Sequence, residues 1–166
     1  MKAPTWHSSF PTPLGVLRAT TDGESIVAIA YDAPVADDDG AAPAHARALL
    51  NAARLQLDEY FAGGRTAFDL PLAPAGTVFQ RSVWNVLCTV RYGETASYAQ
   101  VAQRVGSPAA VRAVGAANGR NPIAIVIPCH RIIGSNGTLT GYAGGLDRKR
   151  ALLLLEAPAP FAQQAA

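Results

Sequence analysis

A thiol, an imidazole and a guanidinium follow one another at Cys129, His130 and Arg131, directly after the run Ile123-Ala124-Ile125-Val126-Ile127-Pro128. Such a triplet suits nucleophilic chemistry, because positive neighbours favour the thiolate and an imidazole can take its proton. The apolar, β-branched run predicts a strand buried on both faces, ended by Pro128, which cannot donate to a ladder. The chemistry would then sit where a buried strand opens into a loop. Read without its neighbours, Cys129 is a small core hydrophobe, and it is His130 and Arg131 that bring the reactive reading level with that one. Adjacent residues in extended chain point to opposite sides, so Cys129 and His130 are expected to couple through a water.

A second group of charged residues lies near the C-terminus. Glu156 closes the apolar run Leu152–Leu155, where the helix dipole disfavours a carboxylate, so a cationic or hydrogen-bonding partner is expected. Arg148, Lys149 and Arg150 crowd the first turn of the same predicted helix, where each cation is disfavoured by about 0.3–1 kcal/mol. A nearby phosphate would offset that cost; plain surface charge is the competing explanation.

The elements that must position these residues begin with a turn at Pro11–Gly15 and a hairpin, Val16–Thr21 and Ser25–Tyr31, joined at Asp22-Gly23. An acidic loop over 34–43 has no periodicity. The spacing of Leu49, Ala53, Leu57 and Tyr60/Phe61 predicts a helix over Ala44–Phe61 with a Gly63-Gly64 stop. Ala67–Leu72 reads as a further strand, and a boundary near residue 76 separates an N-terminal α/β domain (1–76) from a C-terminal domain (77–158) and a tail (159–166). In the second domain Val78–Val90 reads as a helix with Cys88 as core filler. A capping box at Ser97 and Gln100 starts another helix that ends at Gly106. Ser107 and Pro108 are expected to open a third, running to about Asn118 with Val111 and Val114 facing the core. This helix–turn–helix presents alanines, a glycine, Arg112 and Asn118, too few long polar side chains to read base sequence, so it suits sequence-independent binding. Asn121, before Pro122, is placed to brace the nucleophile strand. Gly134–Gly137 reads as a hairpin turn, Gly141–Gly145 as a flexible loop, and Leu146 to about Glu156 as the last helix.

With 166 residues, 49% of them hydrophobic, the chain is globular. Neither a membrane span nor an apolar leader is visible, so a cytoplasmic protein is expected, with Cys88 and Cys129 as free thiols and no metal site. The net charge of +2 hides an asymmetry: residues 1–76 hold five basic and nine acidic side chains, whereas 77–166 hold nine basic and three acidic. The basic half carries the nucleophile, which points to a nucleic-acid partner.

The blocks LDEYFAGG, FQRSVW, YGETASYAQVA, RAVGAANGRNPIAIVIPCHRIIG and LTGYAGGLDRKRALLLLE, in this order and spacing, resemble the O6-alkylguanine-DNA alkyltransferase family, also called methylated-DNA–protein-cysteine methyltransferases. The resemblance implies an α+β fold, with an RNase H-like N-terminal small β-sheet and helix and a winged helix-turn-helix-like C-terminal domain. It implies that Cys129 accepts an alkyl group from O6-alkylguanine, and from O4-alkylthymine, irreversibly and once per molecule. His130 would take the thiol proton through a water, oriented by Glu156; Asn121 would be the brace; Tyr98 would crowd the phosphate beside the flipped nucleotide and hydrogen-bond the guanine. Arg112 would fill the stack, and Ala99, Ser107, Ala113, Ala116 and Ser135 would join Tyr98 and Arg112 in meeting double-stranded DNA from the minor groove. The base pocket would include Ile132, Tyr142, Ala143 and Ala124, with the backbone of Cys129 and Ile132 recognising the base's amino group and the Ala143 amide recognising O6. The resemblance implies no cofactor and no metal, and a monomer is expected. Alkyltransferase-like proteins that only bind lesions replace the acceptor cysteine, so Cys129 argues against that alternative.

Overall fold

The computed structural model describes residues 3–34 and 39–158, with only the backbone of residue 39; the tail over 159–166 and most of the acidic stretch of the 34–43 loop lie outside the described residues. Contacts divide the chain into two compact units, one running to Ala75 together with Pro122–Ala124, the other Gly76–Asn121 together with the chain from Ile125 onward.

The first unit is an antiparallel sheet, β1 (Trp6–Thr12), β2 (Gly15–Thr21) and β3 (Ile26–Tyr31), in the order β1-β2-β3. The hairpin expected over residues 16–31 is present and gains a strand that the sequence reading left out. That edge strand buries only Phe10 fully, so its polar His7-Ser8-Ser9 stretch gives no alternating signal. The β2–β3 turn is closed by the Asp22 carboxylate, which accepts from the amides of Glu24 (3.0 Å) and Ser25 (2.8 Å). Helix α1 (Ala44–Phe61) covers the sheet with Ala46, Leu50, Ala53, Leu57 and Tyr60. It stops in a Schellman motif, in which the Gly64 amide donates to Glu59 O (2.9 Å), the Gly63 amide to Tyr60 O (3.0 Å), and Gly63 takes a φ of 79°. The strand expected at Ala67–Leu72 is reduced to one parallel bridge, Ile26↔Leu72, because Pro71 has no amide to continue a ladder. Pro122–Ala124 cluster here through a second bridge, Ile29↔Ile123.

The second unit is mainly helical. Helix α2 (Val78–Leu87) starts on a capping box in which the Thr77 hydroxyl accepts from the Gln80 amide and the Gln80 side chain accepts from the Thr77 amide. It is shorter than expected, and Cys88 at its C-cap is exposed, not core filler; Val83, Trp84 and Leu87 fill the core instead. A two-residue strand β4 (Ala96–Ser97) leads into α3 (Tyr98–Arg104), which carries the capping box expected at Ser97 and Gln100. Ser107 and Pro108 lie in the turn after Gly106, and α4 (Val111–Gly119) begins only at Val111, one turn later than expected. Val114 is buried, but Val111, at the helix start, is exposed. A second short strand, β5 (Ile132–Ile133), pairs parallel with β4, and α5 (Leu146–Glu156) closes the unit with Leu152 and Leu153 inward. Among the described residues no helix is long and apolar enough to cross a membrane.

Candidate active site

The run before Cys129 is not a strand. Ile123, Ile125 and Ile127 are all buried, as a strand would have them, but Ile125 adopts a φ of 70°, a left-handed conformation that β-branched residues rarely take and that ends extended geometry. Pro128 (φ −82°, ψ 62°) then centres an inverse γ-turn, with the Cys129 amide donating to Ile127 O at 2.8 Å. Cys129–Arg131 form a single 3-10 turn. The reactive triplet is therefore held in a tight bend, with Cys129 only 5% exposed. Asn121 reaches across this bend, donating from Nδ2 to Ile127 O (2.8 Å) and to Cys129 Sγ (3.1 Å). Burial pushes the Cys129 thiol above its ordinary pKa, against the Asn121 hydrogen bond and the charge of Lys149, which pull it down. At rest the sulfur is protonated and needs a base.

His130 is completely buried, with Nε2 at 2.7 Å from Glu156 Oε1. Burial holds the imidazole below its ordinary pKa, more strongly than Glu156 raises it, so the ring is neutral. A neutral ring facing a carboxylate carries its proton on Nε2, which leaves Nδ1 as the basic lone pair. Nδ1 is buried and has no protein partner among the described residues. Arg131, treated in the sequence as a cation for the thiolate, instead grips Glu156: Nε donates to Oε2 and Nη2 to Oε1, both at 2.9 Å, while Nη1 donates to Val90 O at 2.7 Å. Burial alone would raise the Glu156 pKa, but the hydrogen bonds from His130 and Arg131 and the Arg131 charge bring it down to about 2. Glu156 is thus a permanent carboxylate that fixes the imidazole, and its expected partners are identified.

A cleft of about 410 Å³ opens between α4 and the glycine loop, lined by Tyr98, Gly115, Asn118, Gly119 and Thr140–Ala143. Of the residues expected at a base pocket, Tyr142 and Ala143 line it; Ile132 is fully buried and does not line it, and Ala124 belongs to the first unit, where its amide donates to Ile29 O (3.0 Å). The Tyr98 hydroxyl donates to Thr140 O at 2.8 Å. The cations of the last helix behave differently from the expectation of a phosphate-facing cluster. Lys149 is completely buried and donates to the carbonyls of Ile132, Thr140 (2.9 Å) and Gly141 (3.3 Å); burial lowers its pKa to about 8. Arg150 pairs with Asp147 at 3.5 Å. On α4, Arg112, Ala113 and Ala116 are exposed; Ala99 and Ser107 are half-buried in the preceding helix and turn, and Ser135 is exposed in the turn closed by the Gly137 amide on Gly134 O.

Three participants were missed in the sequence, and helical spacing could have found two. Asn118 was read as an outward residue, yet it is four positions from the core residue Val114 and points inward, with Nδ2 3.4 Å from Cys129 O. Lys149 shares a face with Leu152, Leu153 and Glu156, at offsets of three, four and seven. Arg131 had no such signal, since its partner is far away in the chain.

Residues 78–158 match the family described as "6-O-methylguanine DNA methyltransferase, DNA binding domain" and residues 6–74 its "ribonuclease-like domain". A methylated-DNA–protein-cysteine methyltransferase of Methanosarcina acetivorans is 61% identical over 101 residues, which cover 61% of this chain and 65% of that protein, under two thirds of its length. The crystal structure of Mycobacterium tuberculosis O6-methylguanine methyltransferase superimposes with a TM-score of 0.81 at 42% identity, over 93% of this chain and 94% of that one. The M. tuberculosis protein crystallised in complex with DNA gives a TM-score of 0.81 at 44% identity, over 93% and 96% of the two chains. Matched in both halves, and across nearly all of a solved relative, the chain belongs to the 6-O-methylguanine DNA methyltransferase family.

Proposed function

We propose that this chain repairs DNA by direct reversal, moving the alkyl group of O6-alkylguanine, and of O4-alkylthymine, onto Cys129. The observation that carries the reading is a buried thiol held by Asn121 at 3.1 Å beside an imidazole whose Nε2 is fixed by Glu156 at 2.7 Å and whose Nδ1 is left basic. The thiol proton passes through a water to His130 Nδ1. A sulfur electron pair forms the S–C bond to the alkyl carbon while the C–O6 bond breaks. The electron pair of that bond stays on the base, which takes up a proton at a ring nitrogen and leaves as guanine. The Tyr98 hydroxyl, now on Thr140 O, is placed at the cleft to donate to the base instead. The thioether is stable to water, so each molecule acts once, without cofactor or metal.

Double-stranded DNA would be met at the minor groove by α4, whose exposed Ala113 and Ala116 permit close approach, with Ala99, Ser107 and Ser135 alongside. Arg112 would fill the gap left by a base flipped into the cleft lined by Tyr142 and Ala143. Residues 77–158 carry both DNA binding and alkyl acceptance, residues 1–76 support them, and the protein acts as a cytoplasmic monomer. Incubation with a duplex containing O6-methylguanine, followed by intact mass measurement, is expected to show one added methylene on Cys129 in stoichiometric amount and none in Cys129→Ser. An adduct on Cys88, or an unmodified protein, would refute the proposal.

A further inference from the structure

The turn between α2 and β4 lies against the end of α5 that carries Glu156. It is closed locally, with the Glu94 amide donating to Arg91 O at 3.0 Å. Gly93, at a φ of 80°, permits a close approach: a side chain there would meet Glu156 O at 3.4 Å. Beside this glycine, half-buried Tyr92 joins two parts of the site. Its hydroxyl donates at 3.3 Å to Leu155 O, one of the last-turn carbonyls that a helix leaves without an internal donor. Its ring carries the Arg131 guanidinium, whose central carbon stands 5.9 Å from the ring centroid. Burial and the Glu156 charge hold the phenol above its ordinary pKa, against the Arg131 charge, so the hydroxyl stays protonated and remains a donor.

We infer that Tyr92 is a positioning residue for alkyl transfer: it fixes Arg131 on Glu156 and, through that carboxylate, the imidazole of His130. The inference rests on the alkyl-transfer reading above and adds a residue to its machinery. Glu156 Oε1 accepts from both His130 Nε2 at 2.7 Å and Arg131 Nη2 at 2.9 Å, so the place of the guanidinium decides where the carboxylate, and with it the imidazole, stands. The N–H groups of a guanidinium all point within its plane. The hydrogen bonds of Arg131 to both Glu156 oxygens and to Val90 O therefore resist movement within that plane better than movement out of it. The Tyr92 ring supplies the restraint out of the plane and helps to keep Arg131 only 6% exposed. Its hydroxyl, on the residue next to Glu156, ties down the same turn of α5.

The test compares single-turnover methyl transfer from a duplex containing O6-methylguanine in the wild type, Tyr92→Phe and Tyr92→Leu, with Tyr92→Met in reserve should the leucine variant not fold. Loss of the ring is expected to slow transfer about twofold to thirtyfold in folded protein, the span of cation–π contacts from exposed to desolvated settings. Phenylalanine keeps the ring and is expected to restore most of the rate. A merely structural side chain would leave unmoved the downfield Nε2–H proton resonance of His130, read in protein carrying nitrogen-labelled histidine. That resonance should persist in Tyr92→Phe and shift or broaden in Tyr92→Leu. A leucine or methionine variant with the wild-type rate and resonance overturns the inference, as does a Tyr92→Phe no better than Tyr92→Leu. The resonance is measured without DNA, so a wild-type protein that takes no methyl refutes the alkyl-transfer reading, while the resonance still decides whether Tyr92 holds His130 in place.

Discussion

The two units bury different kinds of side chain. In the first, Phe10, Leu17, Ile26, Ile29, Leu50, Leu57 and Tyr60 form an apolar core, and its one fully buried polar residue among those described, Thr21, is satisfied within its own turn by Ser25 O and the Gly23 amide. In the second, Asn118, His130, Arg131, Lys149 and Glu156 are buried together with the hydrophobic residues. Taking an ion out of water costs several kcal/mol even after relaxation, so such groups stabilise a fold poorly compared with leucine. Their concentration around Cys129 marks the second unit as the one whose interior is shaped by chemistry, and the first as the one whose interior is shaped by packing.

The sharpest way to break this contrast is at Glu156. Replacing it by alanine strands the buried Arg131 charge, which is expected to cost about 3–5 kcal/mol of stability. It also frees the imidazole, so alkyl transfer should slow by about 10²–10⁴-fold, the span attributable to a positioned base. The acid limb carries the same signature. Glu156 has a folded pKa of about 2 against an ordinary 4.5, so its contribution is complete above 4.5 and is lost as pH falls through about 2. Denaturant midpoints measured across that range should fall in the wild type, and the part due to Glu156 should be missing in the variant. A variant of undiminished stability at neutral pH would mean that Arg131 finds another acceptor.

Leu57→Ala tests the other side. The side chain is fully buried on α1, and its truncation is expected to cost about 2–5 kcal/mol. The single-turnover rate of the molecules that remain folded should be unchanged. A slowed rate in folded protein would show that the packing unit tunes the chemistry and would blur the contrast.

The contrast also explains what the sequence made legible. Local hydrogen bonding leaves local signs: the Ser97 and Gln100 capping box, the Gly63-Gly64 stop and the spacing in α1 place their elements correctly. Cys129, His130, Glu156, Asn121 and Tyr98 were all singled out from residue type and family resemblance, and the structure puts Asn121 on the sulfur and Glu156 on His130. The failures lie where tertiary contacts override local preference. Ile125 sits in a left-handed conformation inside a run that favours strands, and nothing in residue type announces it. Lys149 reads in the sequence as one of three first-turn cations, facing a phosphate or simply solvent, although the face it shares with Leu152, Leu153 and Glu156 leads inward.

Lys149 offers the smallest expected change in stability and the finest sharpening. Its ammonium is fully buried, holds three carbonyls, and has no carboxylate partner among the described residues; its charge acts on Cys129 and on His130, lowering the pKa of each. Methionine at this position would fill similar space without the desolvation cost, while Thr140 O would keep the Tyr98 hydroxyl. Lys149→Met is therefore expected to match or exceed the wild type in stability at pH 7. Because the folded pKa of about 8 lies below the ordinary 10.5, the wild type gains stability as pH rises between those values and the methionine variant does not. Any advantage of the variant should accordingly shrink from pH 7 to pH 10 in urea denaturation. Its function should move the other way: without the ammonium the thiolate is less favoured, so the pH profile of Cys129 alkylation by iodoacetamide shifts upward. A variant that loses stability at pH 7 and keeps its thiol profile would make Lys149 a structural clamp on the Thr140–Gly141 carbonyls, and would remove it from the set of buried charges kept for chemistry.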